Sequence, residues 1–132
     1  MIKKTITYTD YNGVQRTEDF YFNLSKPDLV ELDVEYPEGF AEKIKNVMET
    51  NDKKEMVRIF KDLIMRSYGV KDADGRHFKK SKELSEEFVE TPAYGELFME
   101  IGYDSKAAAD FLNGLIPSDL QNATQNLAAP MA

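Results

Sequence analysis

Residues 1–24 read MIKKTITYTDYNGVQRTEDFYFNL and decide the fold of the chain. Apolar and polar side chains alternate along residues 2–9 and again along residues 19–24, and the turn-forming sequence DYNG lies between them at residues 10–13. Alternation with a period of two is typical of a strand that buries one face, and Asn-Gly is a strong signal for a tight turn. The segment therefore predicts an N-terminal β-hairpin.

The length of the hairpin loop determines which side chains share a face, because a shift of one residue moves the whole pattern of one strand to the other face. A two-residue loop at residues 12–13 would divide the apolar residues between the two faces. A three-residue loop, with Gly13 in a left-handed bulge, pairs Ile2 with Phe22 instead. We predict this second register because it gathers the apolar side chains on one face, namely Ile2, Ile6, Tyr8, Phe20 and Phe22.

The segment after the hairpin predicts a short helix followed by a strand. Residues 25–28, SKPD, have the form of a capping box with proline in the first turn, so a helix is expected to begin there and to end near Leu32. Residues 32–36 then alternate between apolar and acidic side chains before Pro37. This alternation indicates a brief third strand beside the hairpin.

Apolar residues recur at helical spacing through most of the remaining chain. Gly69 is expected to end the second of these helices in the left-handed C′ position, and residues 70–80 are expected to form an exposed, turn-rich connection. The predicted helices run from residue 40 to 51, 52 to 69, 81 to about 90, 92 to 102 and 106 to 113.

The fold class predicted from these elements is α+β, with the hairpin packed against a mainly helical body of about five to six helices. A chain of 132 residues can bury roughly two-thirds of its unfolded surface around one core. We expect a single domain over residues 1–116, with the hairpin at residues 1–24 and the helical body at residues 25–116. Small and polar residues dominate after that point, and they predict a flexible C-terminal tail over residues 117–132.

The composition excludes several classes of function. The chain has no cysteine, so disulfides and thiol catalysis are excluded. The net charge is −7 and only residues 53–80 are clearly basic, which argues against a nucleic-acid partner. No run approaches the ~20 apolar residues of a membrane span, and the N-terminus lacks the apolar core of a signal peptide. We therefore expect a cytoplasmic protein without a membrane partner.

No pattern of residues predicts an enzyme. His77 is the single histidine and lies on a polar turn, so no second histidine exists for a metal site or a proton relay. Residues 72–74, DAD, with Glu83 have the spacing of a calcium loop, but Arg76 and His77 occupy its fifth and sixth positions, where such a loop does not accept them. No glycine-rich phosphate loop is present. We expect no catalytic residue, no metal site and no cofactor.

Nine short segments identify a family when they are taken in order over residues 3 to about 118. They are TITYTDYNG (5–13), FYFNLSK (20–26), IFK (59–61), SYG (67–69), DGR (74–76), SKELSEEF (81–88), AY (93–94), ELFM (96–99) and FLNGLIP (111–117). Together they resemble the tail assembly chaperones of long-tailed, siphovirus-type phages and prophages. The chain departs from the family pattern at residues 105–110, SKAAAD, where the family often has an alanine-rich run, and beyond Leu120.

The resemblance implies a non-enzymatic protein that acts in the host cell cytoplasm and is not part of the finished virion. Chaperones of this kind coat the tape measure protein, keep its long hydrophobic helices soluble and help to deliver the tail tube protein. Many are also made in a second, longer form through a programmed ribosomal frameshift. The implied partners are therefore the tape measure protein and the tail tube protein, and the oppositely charged segments of this chain would also suit self-association.

Partner binding is expected to use a free sheet edge or a helical groove that receives an amphipathic helix. The candidate partner-binding residues are Tyr36, Phe40, Leu115, Ile116, Leu120 and Leu127.

Two other classes of function stay open at the level of sequence. The first is an acidic phage-encoded inhibitor that mimics nucleic acid and binds a basic host protein, for which binding would be strongly salt-sensitive. The second is an enzyme, although no substrate class is indicated by any motif of the chain.

Overall fold

Four strands and six helices form an α+β fold over residues 1–115, which are the residues described by a computed structural model of the chain. The side chain of Ser105 is not described. In chain order the elements are β1 (Ile2–Thr9), β2 (Gln15–Phe22), α1 (Lys26–Glu35), α2 (Phe40–Thr50), α3 (Lys53–Ser67), β3 (Tyr68–Lys71), β4 (Phe78–Lys79), α4 (Lys82–Val89), α5 (Pro92–Tyr103) and α6 (Ser105–Leu115). The predicted tail at residues 117–132 lies outside the described residues.

The N-terminal hairpin has the predicted register. Strand β1 pairs antiparallel with β2, with Ile2 opposite Phe22. Gly13 has a φ of 81°, its backbone N–H donates to the carbonyl of Asp10 at 2.9 Å, and the N–H of Asp10 donates to the carbonyl of Val14 at 2.8 Å. The three-residue loop with a left-handed glycine is therefore confirmed.

A second hairpin extends the sheet where a connection without strands was expected at residues 70–80. Strand β3 pairs antiparallel with β2 and with β4, so the strand order is β1-β2-β3-β4. Gly69 lies within β3 and does not end α3 in a left-handed conformation, so that prediction is wrong. A Cβ atom at Gly69 would approach Cε2 of Phe78 to 2.6 Å, so glycine is needed here for close packing between the two strands.

Helix α1 is longer than predicted and replaces the expected third strand at residues 32–36. The capping box is present, because the Ser25 hydroxyl accepts from the N–H of Asp28 and the Asp28 carboxylate accepts from the N–H of Ser25. The helix continues to Glu35, and Val34 remains 78% exposed. The apolar residues that pack on the core fit one helical face through the spacing i, i+3, i+7, and they are Leu29, Leu32 and Tyr36.

The core lies between one face of the sheet and the layer formed by α3, α4, α5 and α6. Phe22 is completely buried at its centre. The ring centroids of Tyr68, Phe88 and Phe111 lie 5.8, 5.6 and 5.5 Å from that of Phe22, so the hairpin, α4 and α6 meet at one aromatic cluster. The opposite face of the hairpin is polar and exposed, and threonines recur along it.

Candidate functional site

The predicted partner-binding residues fall into three groups. Tyr36 follows α1 and its ring packs against that of Phe40, with the centroids 5.6 Å apart, and both side chains are half-buried. Leu115 is 1% exposed and belongs to the core, and its carbonyl accepts from the N–H of Leu24. The remaining three candidates lie outside the described residues and are Ile116, Leu120 and Leu127. The structure therefore brings Tyr36 and Phe40 together and gives Leu115 a packing role.

A larger apolar surface lies elsewhere, in a groove of about 360 Å³ between α3 and α5. One wall comes from α3 and the end of α2, and the other comes from the second half of α5, with Ala108 of α6 nearby. Three of its side chains are methionines. We call this surface the methionine groove and define it by Met48, Met56, Val57, Phe98, Met99 and Tyr103.

The turn between α2 and α3 positions the first wall. Asn51 ends α2 in the left-handed conformation, with a φ of 53°, and the N–H of Asp52 donates to the carbonyl of Val47 at 3.3 Å. The Asp52 carboxylate then accepts from the N–H of Glu55 at 3.2 Å and starts α3. Because the chain reverses within these residues, the C-terminal end of α2 and the N-terminal end of α3 lie side by side, which brings Met48 and Met56 into the same groove.

The turn between α5 and α6 positions the second wall. The Asp104 carboxylate accepts from the N–H groups of Lys106 and Ala107 at 3.0 and 3.3 Å, so α6 begins immediately after α5 ends. This abrupt reversal leaves Tyr103, the last residue of α5, 82% exposed. Met99 lies one turn earlier on the same helix and is 54% exposed.

The methionine groove is suited to binding apolar side chains. Exposed apolar clusters on soluble domains mark interaction surfaces, and methionine adapts its flexible thioether to ligands of varied shape. Lys53 is the single ionisable amine or carboxylate among the lining residues. The groove therefore offers contact area and adaptability and no arrangement of acids and bases for a reaction.

The methionine groove does not follow from the sequence pattern. The helical spacing of the apolar residues places Met48 and Met56 on the apolar faces of α2 and α3, where burial is expected, but Met48 is 41% exposed. One feature of the sequence does point to exposed apolar side chains. Val57, Met99 and Tyr103 lie beside the core-facing stripes of their helices, although a face that contacts only solvent usually carries smaller or polar residues. Such a signal identifies exposed residues singly but does not show that two helices bring them together.

In a wider cleft of about 610 Å³ beside Tyr36, both arginines form ion pairs with carboxylates of the same chain. Arg66 binds Glu35 at 2.6 Å and Asp62 at 2.8 Å. Arg58 forms a bidentate pair with Glu55 at 3.1 and 3.0 Å, and hydrogen bonds from Arg58 and then Lys43 lower the pKa of Glu55 to about 2. Both arginines are therefore already occupied by carboxylates of the same chain.

Metal-binding clusters, the single histidine and membrane-spanning helices were the remaining features to consider within the described residues. Within residues 1–115, no group of three or more His, Cys, Asp or Glu side chains is placed to hold a metal ion. His77 is exposed and its Nδ1 lies 2.8 Å from a carboxylate oxygen of Asp72. Over the same part of the chain, no helix is both long and apolar enough to cross a membrane.

Comparison with known proteins gives one informative result. A family model described as phage tail assembly chaperone matches residues 1–131, which is almost the entire chain. The matched region contains the whole methionine groove and all six of the residues predicted to bind a partner. No curated protein and no solved structure matches the chain at a significant level.

Proposed function

Since this chain belongs to the phage tail assembly chaperone family, we propose that it binds the tape measure protein of a siphovirus-type phage or prophage and keeps the long apolar helices of that protein in solution. Under this proposal it also assists assembly of the tail tube. It acts in the cytoplasm of the host cell, is absent from the finished virion and catalyses no reaction. Its partners are the tape measure protein and the tail tube protein.

The observation that carries the proposal is the methionine groove. A chaperone for apolar helices needs an apolar surface that stays accessible in its own folded state, and amphipathic helices bind proteins by laying their apolar face into such a groove. Val57, Met99 and Tyr103 are each at least half exposed, although they lie beside a well-packed core. They are therefore accessible to a partner while the core beside them stays packed.

The charge of the chain supports the same role. The net charge is −7, and a net charge far from zero keeps a protein soluble and discourages association. A complex between this chain and an apolar partner would carry that charge on its surface. The acidic chain would therefore contribute solubility to the complex as well as cover for the apolar segments.

Co-expression with a tape measure protein of the same phage tests the proposal. The full-length chain is expected to raise the soluble fraction of the tape measure protein and to co-purify with it. Val57→Glu and Tyr103→Ala are expected to lower the co-purified amount about tenfold, because one introduces a charge into an apolar contact and the other removes a large contact area.

Two matched variants control for general effects of the substitutions. Val34→Glu adds the same charge on an exposed helical face outside the groove, and Tyr11→Ala removes a tyrosine that is 83% exposed. Both are expected to leave co-purification unchanged. A tape measure protein that stays insoluble with the wild-type chain would contradict the proposed function, and equal losses in groove and control variants would contradict the groove as its site.

Salt dependence separates this proposal from an acidic inhibitor of a basic host protein. Apolar contacts are not screened by salt, so binding to the tape measure protein should persist at 0.5 M NaCl. Binding that rests on exposed charges falls steeply over the same range, since the screening length shrinks to a few ångströms. Loss of the complex at high salt would favour the inhibitor.

A further inference from the structure

The methionine groove carries one cation that has no partner in the described part of the fold. Lys53 is the first residue of α3 and is the one charged side chain among those that line the groove. Lys53 is exposed and forms no hydrogen bond or ion pair within residues 1–115, whereas Lys43 and Arg58 on the same helix pair both bind Glu55. The groove therefore combines an exposed apolar surface with a single unpaired positive charge.

The C-terminal segment of the chain, residues 116–132, has a composition that matches this groove. Its sequence is IPSDLQNATQNLAAPMA, in which Asp119 is the only charged side chain. Leu120, Ala123 and Leu127 follow the spacing i, i+3, i+7, which is typical of a helical face that makes apolar contacts. The segment therefore carries one apolar stripe with one negative charge directly before it.

We propose that residues 119–127 bind to the methionine groove of the same molecule, with Leu120 and Leu127 against its methionines and Asp119 beside Lys53, and that this contact covers the groove until a partner displaces it. The contact is a property of the isolated chain, so it goes beyond the proposed function and does not depend on it. Only the competition with a partner rests on that function.

The length of the C-terminal segment permits this contact. Helix α6 contributes Ala108 to the groove and ends at Leu115, which lies seven residues or about 10 Å further along the helix. An extended chain covers up to about 3.3 Å per residue, so residues 116–119 can bridge about 13 Å. The segment can therefore turn back along α6 and bring Leu120 to the edge of the groove.

The contact can be weak and still be populated. A segment that is tethered by a few residues has an effective concentration near its site in the millimolar range, so a contact with an intrinsic dissociation constant of roughly 1 mM forms about half of the time. Burial of two leucine side chains and one exposed ion pair, offset by the ordering of the segment, are consistent with an affinity of this order. A partner with a longer apolar surface can then displace the segment.

Paramagnetic labelling of the full-length chain tests the contact in the absence of any partner. The chain has no cysteine, so Gln125→Cys creates a single attachment point for a nitroxide. The label should broaden the methyl NMR signals of the groove methionines, Met48, Met56 and Met99. It should broaden that of Met65 less, because Met65 lies nine residues after Met56 on α3 and lines a different cleft.

Two matched double variants of the labelled chain test the apolar stripe. Leu120→Glu combined with Leu127→Glu should abolish the selective broadening, because it brings charges into an apolar contact. Gln121→Glu combined with Asn126→Glu adds the same two charges beside the stripe and should leave the broadening unchanged. Selective broadening that survives both pairs of substitutions would contradict a contact made by the two leucines.

A charge exchange tests the ion pair between the segment and the groove. Lys53→Glu should reduce the broadening of the groove methionines about twofold at low salt, and the combination with Asp119→Lys should restore it. Lys54→Glu is the matched control, because Lys54 is exposed and does not line the groove. An equal effect of Lys53→Glu and Lys54→Glu would contradict the pairing of Asp119 with Lys53.

Competition with a bound peptide tests whether the segment covers the groove. A synthetic helical peptide of about 18 residues with a leucine stripe should bind the Leu120→Glu, Leu127→Glu variant about twofold more tightly than the Gln121→Glu, Asn126→Glu variant, since a half-occupied groove halves the apparent affinity. The peptide should also remove the selective broadening in the labelled wild-type sequence. Equal affinities of the two variants would contradict the covering role.

Two further results would overturn the inference. One is equal broadening of Met65 and the groove methionines. The other is undiminished broadening in a mixture in which the nitroxide and the observed methionines are on different molecules, since the segment would then bind a second copy. Selective broadening together with a tape measure protein that stays insoluble would remove only the proposed function. Soluble co-purification without selective broadening would remove only the contact of the C-terminal segment.

Discussion

At the scale of single residues, Lys80 connects three separate parts of the chain. Its ammonium group donates to the carbonyl of Asn23 at 3.1 Å, to the Asp28 carboxylate at 2.5 Å and to the carbonyl of Arg66 at 3.1 Å. Asn23 follows β2, Asp28 lies in the first turn of α1, and Arg66 lies in the last turn of α3. Burial raises the pKa of Asp28, but the hydrogen bonds from Lys80 and Ser25 outweigh this effect, and the net pKa is lowered.

Replacement of Lys80 by methionine should lower the free energy of unfolding by about 2 kcal/mol at pH 7, because it leaves a partly buried carboxylate and two carbonyls without their donor. A lowered pKa means that the stabilisation is present above the unfolded pKa of Asp28 and is lost as the pH falls through the lower folded value. The difference between wild type and Lys80→Met in urea unfolding should therefore shrink below about pH 4.

Lys79→Met is the matched control for this prediction, because Lys79 is exposed and its side chain forms no hydrogen bond or ion pair within residues 1–115. It should change the free energy of unfolding by less than ~0.5 kcal/mol. A difference between wild type and Lys80→Met that stays constant from pH 7 to pH 3 would show that Asp28 is not the group stabilised by Lys80.

At the scale of the elements, a sequence pattern predicted the secondary structure correctly where that pattern is compatible with only one local structure. The register of the N-terminal hairpin followed from the loop, since the three-residue loop alone gave an apolar face. The residues at 32–36 fitted a strand and a helix equally well over so short a stretch, and the capping box upstream together with the packing of Leu32 favoured the helix. Strands β3 and β4 have four and two residues, so their pairing with β2 rather than their own pattern creates them.

The reversal between α2 and α3 depends on a residue that accepts a positive φ. Asn51 has a φ of 53° and is the one non-glycine residue with positive φ among residues 1–115. Alanine in this conformation costs about 1–2 kcal/mol, whereas glycine adopts it freely. Asn51→Ala should therefore lower the free energy of unfolding by about 1 kcal/mol, and Asn51→Gly should leave it unchanged or slightly higher, as measured by urea denaturation. Equal stability of the two variants would contradict this account of the turn.

At the scale of the whole molecule, the hairpin and the helices share one buried cluster, in which Phe22 contacts rings from β3, α4 and α6. The groove could not be derived from sequence, because it arises from the relative placement of two helix pairs that are far apart in the chain. The same packing explains why Leu115, a candidate for partner binding, is part of the core. The proposal that residues 1–116 form one domain can be tested through this cluster.

Phe22→Leu should lower the free energy of unfolding by about 1–2 kcal/mol, since it removes part of a fully buried ring. If residues 1–116 are one cooperative unit, the unfolding transition measured by far-UV circular dichroism and the one measured by NMR signals of β1 should shift together. Val14→Thr, at an exposed position beside the hairpin loop, should shift neither transition. Separate transitions for β1 and the helices would show that the hairpin is an independent unit.

The three methionines of the groove have a consequence for how widely one surface can be used. A methionine side chain has three rotatable bonds and can fill the space left beside a bound leucine, isoleucine or phenylalanine. The surface therefore adapts to its ligand through changes of methionine rotamer and does not need a rigid complementary shape. Recognition of this kind tolerates sequence drift in the binding partner. One receptor surface can then serve at many positions along a long, irregular polypeptide without a dedicated motif at each of them.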